Sequence, residues 1–266
     1  MTGAESGTQP FAAHHGDGAA MWQLHDREAD LVVTSPPYYP AEIEALLRTP
    51  VMRQQRVDEV DEAVTSLALS LAPVFHEIGR VLNGYGWLVL QTKDLRYGGF
   101  LVGPADTHRR LVEAAGFRLS AEVAWASTPA NPLRDRALRS AWRRGYFSTT
   151  VVEKFLMFTR TDGSPATARG PLVVPEDYAE PLWRLPGQGA RATHQHESPL
   201  SVVCRLVEIY SAPGDLVLDP MCGHGTILLA ALKLGRRAVG YDIDAACVQV
   251  SLDKAAGAAT IRWRHA

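Results

Sequence analysis

The sequence predicts a single α/β domain over residues 1–266, built on a mostly parallel sheet in permuted order, and three observations predict it. Short apolar runs alternate with stretches of helical period, the βαβ rhythm of a sheet covered by helices. One run, Leu216-Val217-Leu218, enters Asp219-Pro220-Met221-Cys222-Gly223-His224-Gly225-Thr226, where a strand stops in a Gly-x-Gly turn with a helix start behind it. Such a turn lets the backbone come close to a nucleotide-like ligand. That loop normally follows the first strand of a nucleotide-binding sheet, yet only about forty residues remain after it here, enough for one or two more strands. The rest of the sheet must come from the chain before the loop, which makes the order circularly permuted.

Taken in order, residues 1–10 are small and polar and read as a loose tail. Phe11 to His15 reads as a short strand that Gly16-Asp17 turns into a helix-like stretch, Ala19 to His25. The buried run Leu31-Val32-Val33 then enters Thr34-Ser35-Pro36-Pro37-Tyr38. Proline fixes φ and donates no ladder hydrogen bond, so the strand stops in a stiff corner facing solvent. Ala41 to Arg56, without clean period, reads as a mobile segment with a short helix beside that corner. Val64, Leu67, Leu71, Val74, Ile78 and Leu82 recur at three- and four-residue steps and predict an amphipathic helix over 60–82, broken near Pro73 and ended by Gly84 and Gly86. Trp87-Leu88-Val89-Leu90 is a buried strand closed by Gln91-Thr92-Lys93-Asp94. A helix over Thr107 to Ala115 and a strand over Phe117 to Trp125 follow. Residues 127–147 carry Pro, Arg and Trp without period and are too long for a passive connection. Thr149 to Thr159 is a strand, and 161–196, rich in Gly and Pro, is loop-rich. The chain ends with a helix from Pro199 to Tyr210, the strand 216–218, a helix from Thr226 to Leu234, a strand from Ala238 to Tyr241 and a helix from Ala245 to Ala256.

The chemistry sits at two strand ends. A dinucleotide site wants a third glycine three residues past the second, and that position here is Leu228. The pyrophosphate fingerprint therefore fails, while a cofactor without phosphate needs only the close approach that the first two glycines give. Asp242 ends the next strand, 23 residues beyond Asp219, where a carboxylate can accept two hydrogen bonds from ribose hydroxyls.

Together, the Ser35-Pro36-Pro37-Tyr38 corner and the later Asp219 to Thr226 loop resemble the signature of the S-adenosylmethionine-dependent amino-methyltransferases of DNA, in the permuted group whose catalytic Ser/Asn/Asp-Pro-Pro-Tyr segment precedes the cofactor loop. The resemblance runs from about Gly16 to about Lys254, and Ser35 in place of Asp or Asn looks most like the cytosine-N4 branch. It implies a Rossmann-like methyltransferase fold, a mostly parallel sheet with helices on both faces, and S-adenosyl-L-methionine as cofactor. It also implies direct in-line transfer to the exocyclic amine of a base flipped out of double-stranded DNA. The Ser35 hydroxyl and Pro36 carbonyl would accept hydrogen bonds from that amine and localise a lone pair otherwise delocalised into the ring. Pro37 would stiffen the corner and Tyr38 would stack on the base. On the cofactor side the resemblance puts Asp219 near the methionine amino group and Asp17 near the adenine amino group. Thr226 and Ser198 would lie toward the methionine carboxylate and Asp242 at the ribose, with Pro220, Met221, Gly223 and Gly225 forming the loop. The sequence departs from the common Asp-Pro-Phe-x-Gly-Ser-Gly-Thr form at Met221, which can serve Phe's apolar role, and at His224, whose role stays open. Adenine-N6 transfer, an RNA or small-molecule amino-methyltransferase of the same fold, and a non-catalytic cofactor-binding subunit remain as alternatives.

Composition bounds the partners. Apolar residues make up 46% and charged residues 21%, an ordinary globular mixture, and the net charge of −2 is mild for a protein that holds a polyanion. The balance is uneven, however. Arg134, Arg136, Arg139, Arg143 and Arg144 fall within eleven residues that include one acid, Asp135, and with Trp142 they form the candidate DNA-binding surface. Regions 127–147 and 161–196 are the candidate nucleic-acid-contacting loops. The space left for base reading is small, so help from a cognate restriction or specificity partner fits. No apolar run approaches the roughly 18 residues of a membrane span, and the first residues lack a signal pattern. Cys204, Cys222 and Cys247 form no Cys-x-x-Cys pair. A cytoplasmic, reduced setting with no metal and no membrane is expected.

Overall fold

A computed structural model describes residues 10–43, 54–97, 100–128, 152–163, 175–186 and 198–259, and an eight-stranded sheet organises them. In chain order the strands are β1 (Phe11–His15), β2 (Ala29–Thr34), β3 (Leu82–Thr92), β4 (Leu95–Tyr97), β5 (Phe100–Val102), β6 (Phe117–Thr128), β7 (Val152–Arg160), β8 (Leu182–Pro186), β9 (Leu216–Asp219) and β10 (Arg237–Asp242), of which β4 and β5 form a separate hairpin. The helices are α1 (Gln54–Ser70), α2 (Ala72–Val81), α3 (Pro104–Ala114), α4 (Leu200–Tyr210), α5 (Thr226–Lys233) and α6 (Ala245–Ala259). Across the sheet the order is β1-β10-β9-β2-β3-β7-β6-β8. Strand β7 runs antiparallel to both neighbours, and every other adjacent pair is parallel.

The period-2 geometry of the strands divides the core into two layers. Leu31, Val33, Val89, Phe155, Met157 and Val217 point to one face, where they meet Val202, Val203, Leu206 and Val207 of α4 and Ile227, Leu228, Ala230 and Ala231 of α5. Val32, Leu88, Leu90, Leu156, Phe158 and Leu218 point to the other and meet Val74, Phe75, Ile78 and Val81 of α2 and Val112 of α3. Both faces of the sheet are thus covered, as the unbroken apolar runs require. Each fully buried aliphatic side chain contributes about 1.5–3 kcal/mol of transfer free energy. A third, smaller cluster joins Val57, Val60 and Val64 of α1 to Ile43, Tyr97 and Val102, with Tyr39 packed against it. It buttresses the segment that follows the proline corner.

The structure departs from the sequence expectations at five places. Residues 19–25 are not helical: 17–28 form turns, because Arg80 donates to the carbonyls of Met21 (3.0 Å) and Leu24 (3.0 Å) while the Met21 amide donates to Glu77 (2.9 Å). Backbone groups that would have closed helical bonds are satisfied by α2 side chains instead. The helix expected over 60–82 is two helices meeting at Leu71, and Pro73 sits in the first turn of α2, where its missing N–H costs nothing. Gly84 and Gly86 do not end it; they lie inside β3, and a Cβ on Gly86 would come within 2.8 Å of the Asp30 carbonyl oxygen on the neighbouring strand. Within the loop-rich stretch 161–196, residues 182–186 are the edge strand β8, whose Trp183 is 2% exposed and paired in register with Trp125. The hairpin β4–β5 is absent from the sequence expectations as well, since three-residue strands carry too little pattern to stand out. The arginine cluster, Arg134, Arg136, Arg139, Trp142, Arg143 and Arg144, lies outside the described residues.

Candidate active site

The two motifs meet because their strands are neighbours. Strands β2 and β9 pair in parallel, Leu31 with Val217 and Val32 with Leu218, so Thr34-Ser35 and Asp219-Pro220 emerge at the same edge of the sheet, roughly 4.8 Å apart in strand spacing. This is the crevice beyond the carboxyl ends of parallel strands in which α/β proteins bind ligands. The ends of β1 and β10 join it, with the Gly16 amide donating to the Asp242 carbonyl at 2.9 Å.

On the cofactor side a carboxylate shapes the glycine loop. Asp242 accepts from the Gly223 amide at 2.8 Å with Oδ2 and from the Asp244 amide at 2.9 Å with Oδ1. Gly223 and Gly225 have φ of +49° and +73°, and a Cβ on Gly225 would fall 2.0 Å from Ser251 Oγ of α6. Only glycine meets both demands there. The turn carrying Asp17 also presses on this loop, since a Cβ on Gly18 would lie 2.4 Å from the Pro220 carbonyl oxygen. Asp17 itself is exposed and accepts from the Ala19 amide at 2.9 Å. Asp219 is 2% exposed and accepts from the Met221 amide at 3.1 Å; burial, reinforced by the charge of Asp242, pushes its pKa up to about 7. Carboxylates at 17, 219, 242 and 244 around one loop suit a ligand carrying positive charge and hydroxyls, and they repel a phosphate.

The corner is held by a hydrogen-bond chain. Ser35 Oγ and the Tyr38 hydroxyl are 2.9 Å apart, and Tyr38 is 8% exposed. Burial, together with the charge of Glu153, lifts the Tyr38 phenol far above its ordinary pKa. Glu153 Oε2 accepts from Gln91 Nε2 at 2.5 Å and from the Tyr38 hydroxyl at 3.5 Å, while Oε1 faces Lys93 Nζ at 3.3 Å. Lys93 Nζ also lies 4.7 Å from the centroid of the Tyr38 ring. Ser198, expected toward the cofactor, donates to Gln91 Oε1 at 2.7 Å. It thereby links the start of α4 to the corner. Pro36 is buried and Pro37 exposed, and Met221 packs on the core beneath the loop.

Sequence reasoning missed Gln91 and Glu153. The signal available was slight: a charged pair, Glu153-Lys154, opening an otherwise apolar strand. What brings Glu153 here is the reversed direction of β7, which puts its first residues beside the last residues of β3, Thr92 opposite Lys154.

A family model described as DNA methylase, of the N6 and N4 type, matches residues 29–253, which includes both motifs. The chain belongs to the N6/N4 DNA methylase family. Among its relatives is the Type II methyltransferase M.MjaI of Methanocaldococcus jannaschii, 27% identical over 265 residues, covering 86% of each chain. The Type II methyltransferase M.MthZI of Methanothermobacter thermautotrophicus is 27% identical over 254 residues, covering 86% of this chain and 71% of the relative. The fold resembles a putative DNA modification methylase from Thermus thermophilus solved with S-adenosyl-L-methionine, with a TM-score of 0.69, 25% identity and coverage of 93% of this chain and 94% of the other. It also resembles the cytosine-N4-specific PvuII DNA methyltransferase, with a TM-score of 0.65, 16% identity and coverage of 92% and 86%. The Rossmann-like methyltransferase fold of this N6/N4 methylase follows, and its expected chemistry is amino-methyl transfer to DNA.

Proposed function

We propose that this methylase transfers the methyl group of S-adenosyl-L-methionine to the exocyclic N4 amine of cytosine in double-stranded DNA, acting on a flipped-out base. The observation that carries this reading is the shared edge: Ser35, which follows β2, and the glycine loop, which follows β9, leave two neighbouring parallel strands at the same end. Direct transfer requires the amine and the methyl carbon to be held in line a few ångströms apart. The cofactor supplies a methyl group on a positively charged sulfur. Asp219 would hold the amino group of its methionine moiety, Asp242 its ribose hydroxyls and Asp17 its adenine, with Thr226 and the Ser198–Gln91 pair toward its carboxylate. Pro220, Met221, Gly223 and Gly225 would wall the pocket. The anionic surroundings of the loop support this assignment, because they complement the ammonium and sulfonium charges.

On the other side, Ser35 Oγ and the Pro36 carbonyl would accept the amine hydrogens, and the Tyr38 ring would stack on the base. Serine in place of aspartate or asparagine favours cytosine. The region from Arg134 to Arg144, with Trp142, would grip the phosphates. The Type II relatives support pairing with a cognate restriction partner, in the cytoplasm where such DNA is met.

The decisive experiment incubates the protein with methyl-labelled cofactor and mixed genomic DNA, digests the DNA to nucleosides and identifies the labelled product by mass. N4-methylcytosine is expected. N6-methyladenine would reassign the base, and absence of label in DNA under conditions of normal cofactor binding would overturn the reading. Ser35→Ala should leave the cofactor dissociation constant within about twofold and lower turnover roughly 100-fold or more, as for loss of a group acting only in the transition state.

A further inference from the structure

Glu153 does more than pair with Lys93. Two neutral donors of the site, Gln91 Nε2 and the Tyr38 hydroxyl, also converge on its carboxylate, and Tyr38 in turn contacts Ser35 at 2.9 Å. The orientation of Gln91 is set from its far end: its Oε1 accepts from Ser198 Oγ, so its amide nitrogen must face Glu153. The chain Ser35–Tyr38–Glu153 therefore begins at the hydroxyl assigned to the amine and ends at a carboxylate whose side chain is 22% exposed.

Methylating an amine liberates a proton, and Ser35 can accept it only by giving up its own. We propose that Glu153 is the acceptor of the proton released from the substrate amine, reached through the Ser35 hydroxyl and the Tyr38 phenol; this deepens the amino-methyltransferase reading and rests on it. The amine lone pair forms the new N–C bond while the electron pair of the C–S bond stays with sulfur, which becomes a neutral thioether. The methylated nitrogen sheds one proton to Ser35 Oγ, Ser35 passes its proton to the Tyr38 oxygen, and Tyr38 passes its proton to Glu153. Ser35 and Tyr38 end as they began, and Glu153 ends as a neutral acid that returns the proton to water at its exposed edge. Tyr38 suits the middle position, because its buried phenol resists ionisation and so releases a proton only as it receives one. Among the described residues the titratable groups facing Glu153 are Lys93 from β3 and Tyr38 from the corner; the next residue, Lys154, pairs instead with Asp94 (3.9 Å) and Glu122 (3.8 Å).

The test is the single-turnover rate of methyl transfer to duplex DNA by the wild-type chain, Glu153→Gln, Glu153→Asp, Tyr38→Phe and the Glu153→Gln/Tyr38→Phe pair, each with its cofactor dissociation constant and KM for DNA. Glu153→Gln should lower the rate roughly 100-fold, the scale of general base catalysis, with binding constants changed less than about twofold. Glu153→Asp should recover part of that loss. Tyr38→Phe keeps the ring and cuts the chain in its middle, so the double variant should be no slower than the slower single variant. Wild-type rates in Glu153→Gln, a loss confined to binding constants, or losses that multiply in the pair would overturn the relay while leaving the methyltransferase reading intact. A wild-type chain that labels no DNA would remove that reading, and the relay with it.

Discussion

Asp219 shows how a single residue can be readable in sequence yet depend on burial for its behaviour. Its place after an apolar strand and before proline marks it as a loop acid, but its protonation follows from near-complete enclosure at the junction of β9 and the loop. With a folded pKa of about 7 against roughly 3.9 in an unfolded chain, it keeps its proton through a range where the unfolded chain has lost one. The unfolded state then binds fewer protons, so this group's contribution is full below about pH 4 and is lost as pH rises toward 7. Urea titrations of the cofactor-free protein between pH 4.5 and 8 should show that slope, and Asp219→Asn should flatten it. If Asp219 receives the cofactor's ammonium, binding at pH 6 should release a proton, read by calorimetry in buffers of different ionisation enthalpy. Absence of release in the wild type would detach Asp219 from that ammonium.

Among elements, the turns over 17–28 are the clearest case of tertiary control. Read locally, Ala19 to His25 suits a helix; in the fold, one arginine on α2 takes two of its carbonyls and also pairs with Asp26 at 2.7 Å and Glu77 at 2.6 Å. Arg80→Ala should leave the Leu24 carbonyl without this partner and the Met21 carbonyl and Glu77 with fewer, and cost about 1–3 kcal/mol. Amide exchange over 17–28 should speed up, and cofactor affinity should fall, because the same turns press Gly18, the residue after Asp17, onto Pro220. A lowered melting temperature without faster exchange in that segment would show that Arg80 acts elsewhere. The long helices and central strands were legible because three- and four-residue spacing and unbroken Val and Leu runs report burial directly. Pro73, Gly84 and Gly86 misled because a breaker has several uses: a first-turn position, or close approach of two strands, leaves the same residue in the sequence.

At the scale of the whole molecule, the mild net charge of −2 has to coexist with binding a polyanion. If the arginines between 134 and 144 carry the phosphate contacts, replacing Arg139, Arg143 and Arg144 with alanine should reduce the slope of log affinity against log salt by about 0.9 for each phosphate left without its arginine. It should do so equally for specific and unrelated DNA, measured by fluorescence anisotropy across a salt series. An unchanged slope would move the phosphate grip to another surface.

The sequence by itself determined that two chemical motifs each terminate a buried strand, which residues they contain and which family they resemble. These are local properties, written in residue type and period. Tertiary structure alone decided that β2 and β9 are neighbours, that β7 runs backward to bring Glu153 to the same edge, and that Ser198 reaches Gln91. Strand pairing between segments far apart in the chain depends on how two helical layers pack on one sheet. No local period encodes that choice, so the partners within the site appear only once the sheet is assembled.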